Sequence, residues 1–101
     1  MNELVLIRKI IKKHKGCLKK IAKSAYIFGS TVENSLVQGE SDIDMLIIPK
    51  KGVNLKKAYN ALDSMVEELL ERGFPVHIIL YDPSRHPKNL LETAKRGIKA
   101  M

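Results

Sequence analysis

The chain of 101 residues is poor in several things, and each shortage excludes something. It has one cysteine, Cys17, so no intramolecular disulfide can form. That rules out a disulfide scaffold and fits a reducing cytoplasm. It has no long apolar run. The N-terminal cluster Leu4-Val5-Leu6-Ile7 is too short for a signal-peptide core, and nothing approaches membrane-spanning length. The expectation is therefore a cytoplasmic protein with no membrane segment. No internal repeat, low-complexity tract or linker is visible, and no residues are spaced like a zinc site or a Ser-His-Asp triad. Aromatic side chains for base stacking are scarce near the basic N-terminal third. Only Tyr26 and Phe28 lie there, and both read as buried.

What is present reads as globular. The apolar fraction is 45% and the charged fraction 29%. A chain this long supports a modest core, and one domain over residues 1–101 is expected. The net charge is +7. Residues 1–32 hold eight bases and one acid, while the remaining residues hold ten of each. The excess thus sits in the N-terminal third. Such a surface is either a solvated lysine face or a site for a polyanion, with nucleic acid as one partner through the basic N-terminal helix.

Hydrophobic periodicity predicts the elements. Leu4, Ile7, Ile11 and Leu18 recur at helical spacing, predicting a helix over 2–15 with Gly16 as its stop. Residues 25–28 and 42–48 read as strands, the second ended by Pro49. Asn54 is an N-cap for a helix carrying Ala58, Tyr59, Leu62, Met65 and Leu69, which Gly73 closes. Residues 74–81 predict a third strand, Asp82-Pro83-Ser84 a turn, and Leu90, Leu91, Ala94 and Ile98 a last helix. The order α-β-β-α-β-α implies a small α/β (α+β) fold with a mixed sheet of three or more strands flanked by helices.

The chemistry concentrates in residues 27–48, IFGSTVENSLVQGESDIDMLII. In a strand, residues i and i+2 share a face roughly 6.5 Å apart. Asp42 and Asp44 would project together, with Ile43 turned into the core. Two carboxylates repel each other unless a divalent cation sits between them. Magnesium takes one or two carboxylates plus substrate phosphates. Gly29-Ser30, at the end of the preceding strand, offers close backbone approach and hydroxyl and N–H donors for phosphate.

FGS followed by SDID and an apolar strand resembles the signature of the DNA polymerase beta-like nucleotidyltransferase superfamily. Most of all the chain is similar to its small single-domain members, the minimal nucleotidyltransferases of archaea and bacteria. The resemblance covers nearly the whole chain. It implies that Gly29 and Ser30 bind the beta and gamma phosphates of a nucleoside triphosphate. It implies that Asp42 and Asp44 coordinate two magnesium ions, and that an NMP group, foremost AMP from ATP, passes to a hydroxyl. Small members often pair with a helical HEPN-type toxin, which implies an antitoxin role. With little chain left for an acceptor-binding domain, a protein partner or a homo-oligomer would complete the cleft.

Three departures from that pattern stand out. The span between Ser30 and Asp42 is one residue longer than usual. Asn34 replaces a common glycine, and asparagine tolerates the same left-handed backbone. The third strand carries His77 where active members place a third acid. Imidazole suits zinc better than magnesium and brings no negative charge. Two further readings follow: a catalytically weakened nucleotide- or partner-binding module, and a basic nucleic-acid-binding protein.

Overall fold

The computed structural model describes residues 3–28 and 43–100. Among the described residues eight elements follow in order: α1 (Glu3–Lys13), α2 (Lys15–Ile21), β1 (Ala22–Phe28), β2 (Ile43–Pro49), α3 (Leu55–Glu71), β3 (Val76–Leu80), α4 (Lys88–Lys95) and β4 (Ile98–Lys99). The strands form one mixed sheet in the order β3-β2-β1-β4. β1 pairs antiparallel with both β2 and β4, and β2 pairs parallel with β3. The expected α+β class with helix-flanked mixed sheet is what the chain adopts.

Side-chain alternation divides the sheet into two faces. Ile43, Met45 and Ile47 of β2 are fully buried, as are Ala25 and Ile27 of β1. They join one cluster with Ile7, Ile10 and Ile11 of α1, Leu18 and Ile21 of α2, and Ala58, Leu62, Met65 and Leu69 of α3. Burying each large side chain of this kind contributes about 1.5–3 kcal/mol. α4 packs against β1, β2 and β4. Its Ala94 and the Leu46 of β2 are fully buried outside the main cluster, on the opposite face.

α3 forms as its sequence dictates. Asn54 Oδ1 accepts from the N–H groups of Lys56 (2.9 Å) and Lys57 (3.2 Å). This satisfies donors that a helix start otherwise leaves unpaired. Gly73 closes it with φ +88°, and the Phe74 N–H donates to the Leu69 carbonyl. Among the described residues no helix is long and apolar enough to cross a membrane.

Several expectations are corrected. Gly16 does not stop the first helix. The break falls at His14, and α2 carries Gly16 within it, because burying Leu18 and Ile21 outweighs the ~1 kcal/mol propensity cost of one exposed glycine. β1 begins at Ala22 rather than residue 25, and β3 is confined to Val76–Leu80. Ile98 belongs to β4 and not to the last helix. Tyr26 and Phe28 are half-buried, and Tyr59 is 45% exposed rather than core.

Candidate active site

Asp44 is the one expected carboxylate within the described residues, and the sheet fixes its place. In β2 its neighbours Ile43 and Met45 are wholly buried. Alternation then turns Asp44 to the other face, away from the α1–α3 layer. A one-residue slip of register would drive this charge into the apolar cluster, so burial of Ile43, Met45 and Ile47 specifies the orientation. Asp44 aligns with Phe28 on β1 and with His77 on β3. Phe28 is the last residue of β1, so the chain enters Gly29-Ser30 from the strand position beside Asp44. Gly29, Ser30 and Asp42 themselves lie outside the described residues.

His77 shares the face of Asp44. Its Nδ1 stands 3.6 Å from Asp44 Oδ1, beyond hydrogen-bond range but within ion-pair range. The Asp44 side chain is 34% exposed and that of His77 is 67% exposed. Both can be reached from solvent, and among the described residues none donates a hydrogen bond to the carboxylate. Among the described residues no cluster of three or more His, Cys, Asp or Glu side chains could hold a metal ion. The described donors therefore number two, one carboxylate and one imidazole.

Asp82, the next acid along the chain, does not join them. Its Oδ1 accepts from the Ser84 N–H (3.0 Å) and Oγ (2.8 Å). These bonds hold its carboxyl below the ordinary aspartate value. The Asp82 N–H donates to His86 Nδ1 at 3.0 Å, so the neutral His86 ring carries its proton on Nε2. Tyr81 stacks on that ring with centroids 5.9 Å apart. This turn and α3 border a hollow of about 270 Å³ beside β3, lined by Tyr59, His77, Arg85 and His86 among others.

His14, among the lysines of the N-terminal helices, is half-buried. Its Nε2 lies 2.9 Å from Glu68 Oε1, and Lys13 Nζ is 3.2 Å from the same oxygen. The ionised carboxylate only accepts, so His14 donates. The pair ties the α1–α2 junction to α3. Helical spacing could not show this, because Glu68 is distant in the chain.

The family model described as nucleotidyltransferase domain matches residues 6–100. A search of curated protein sequences finds no match.

Proposed function

The chain belongs to the nucleotidyltransferase domain family, and from that premise we propose that it transfers a nucleoside monophosphate, AMP from ATP, to a hydroxyl acceptor. The observation that carries this reading is Asp44. The sheet turns its carboxylate to the solvent-reachable face, in register between the strand end that leads into Gly29-Ser30 and His77.

Asp44, with Asp42 two residues before it, would hold magnesium. One or two carboxylates completed by substrate phosphates are a suitable donor set for that ion. When bound, magnesium supplies charge neutralisation of the triphosphate and of the leaving pyrophosphate. Gly29 and Ser30 donate to the beta and gamma phosphates. The acceptor oxygen attacks the alpha phosphorus, the bond from that phosphorus to the bridging oxygen breaks, and pyrophosphate departs with the electron pair.

His77 decides how the acceptor loses its proton. It stands where the resemblance puts the third acid. With Nδ1 turned to Asp44, the outer Nε2 of the neutral ring takes the hydroxyl proton as a general base. A second metal is poorly served by this pair, since imidazole favours borderline ions over magnesium. The resemblance supports a hydroxyl on a HEPN-type toxin as the acceptor, which would make the protein its antitoxin.

Titrating ATP and magnesium into wild type and into Asp42→Asn/Asp44→Asn tests the site. Affinity should fall at least tenfold, and equal affinity would overturn the assignment. Labelled ATP with a HEPN-type partner tests the chemistry. His77→Ala should lose ~10²–10⁴-fold in transfer rate if the imidazole is the base. The binding-module reading gains instead if wild type transfers no label and His77→Asp does. It is favoured by the one departure on the described site, an imidazole where an acid is expected.

A further inference from the structure

Apart from the residues around Asp44, the molecule has a hollow of about 350 Å³ whose rim is basic. Arg8, Lys9 and Lys12 of α1, Lys15 at the start of α2 and Lys99 of β4 line it. Its apolar lining is Val5, the buried Ile11 and Ala100. All five cations are exposed. Among the described residues none has an ion-pair partner, whereas Lys13, on another side of α1, is paired with Glu68. The fold gathers charge from both ends of the chain. β4 pairs with β1 at Tyr26 and Ile27 and thereby brings Lys99 to the N-terminal helices.

Five like charges around one hollow repel each other and cost stability unless an anion joins them. Arg8 and Lys12 stand one turn apart, ~6 Å along α1, with Lys15 just beyond. One strand of a nucleic-acid duplex presents a phosphate every ~3.4 Å of axis. Three cations over roughly 10 Å therefore meet about three phosphates, and Lys9 and Lys99 can engage up to two more. Among the described residues the lining has no aromatic ring to stack a base, and Val5 is its one exposed large apolar side chain against five cations. It suits a repeating phosphate chain better than a folded acidic partner.

We propose that this groove binds the sugar–phosphate backbone of a nucleic acid, without sequence preference. This is independent of nucleotidyl transfer, because none of the groove residues belongs to the site around Asp44.

The test is fluorescence anisotropy of the full chain with labelled double-stranded RNA and DNA of mixed sequence, at stepped salt. Engaging three to five phosphates predicts a log–log salt slope of roughly −2.7 to −4.5 for duplex DNA. The triple variant Arg8→Ala/Lys12→Ala/Lys15→Ala should bind at least tenfold more weakly at low salt. Its slope on duplex DNA should be shallower by about 2.7. The control Lys19→Ala/Lys20→Ala/Lys23→Ala removes equal charge outside the groove and should bind nearly as wild type. Circular dichroism confirms that both variants fold. If both triples weaken binding equally, diffuse charge is responsible and the groove is not a site. Poly-glutamate binding as tightly as RNA, or a wild-type slope near zero, overturns the proposal as well.

Discussion

Glu68 and Asp44 each face a histidine, and their neighbours give them different tasks. Glu68 receives the His14 hydrogen bond at 2.9 Å and the Lys13 ammonium beside it. The His14 bond, with Lys13 aiding, holds its carboxyl below the ordinary glutamate value of 4.5. Asp44 faces His77 at 3.6 Å, and among the described residues none donates a hydrogen bond to its carboxylate. The consequence for pH concerns Glu68. A carboxylate whose folded value is depressed binds fewer protons folded than unfolded through that window. It therefore stabilises the fold above its ordinary value, and the effect is lost as pH falls through the lower folded value. Glu68→Gln should lower the melting temperature at pH 7, and the gap to wild type should close as pH drops below 4.5. Thermal melts at pH 7 and pH 3 check this, and a gap independent of pH would contradict it.

Among the elements, β4 depends on the least. It has two residues, and its approach to β1 passes through Gly97. A Cβ at Gly97 would fall on the Ile27 carbonyl, a backbone group in a central strand that cannot swing aside. Gly97→Ala should therefore cost about 1–3 kcal/mol, as overpacked sites do. It should also push β4 away from β1. Chemical denaturation gives the first quantity. Weaker nucleic-acid binding with ATP binding retained would reveal the second, because Lys99 travels with β4. Gly16 provides the contrast. A Cβ there meets nothing within 4 Å, so no close packing requires that glycine.

Across the whole molecule, legibility followed the range of the interactions. α3 was readable because its stripe and its Asn54 cap are local. β2 was readable because DIDMLII is apolar enough to be a buried strand wherever it lies. The orientation of Asp44 followed from Ile43 alone. The partner of His14 is Glu68, which sits on another helix. β4 was hidden because Ile98 continues the spacing of Leu90, Leu91 and Ala94, and only pairing with β1 makes it a strand. The juxtaposition of Asp44 and His77 required the parallel register of β2 and β3, which periodicity does not contain. The basic groove required β4, so its N-terminal cations were visible in the sequence and Lys99 was not.

The position of β2 also sets how the molecule opens. β2 is paired on both edges, and of its five residues from Ile43 to Ile47 four are fully buried and Asp44 is half-buried. Amides in such a strand exchange with solvent only through near-global unfolding, whereas short edge strands open locally. Hydrogen exchange should show β2 as the slowest segment and β4 as among the fastest. Rapid exchange across Met45–Ile47 would contradict that order. The acid of the candidate site is thus anchored in the last part of the protein to open. Lys99, at the rim of the groove, is carried by one of the first, so the groove can breathe while the carboxylate stays still.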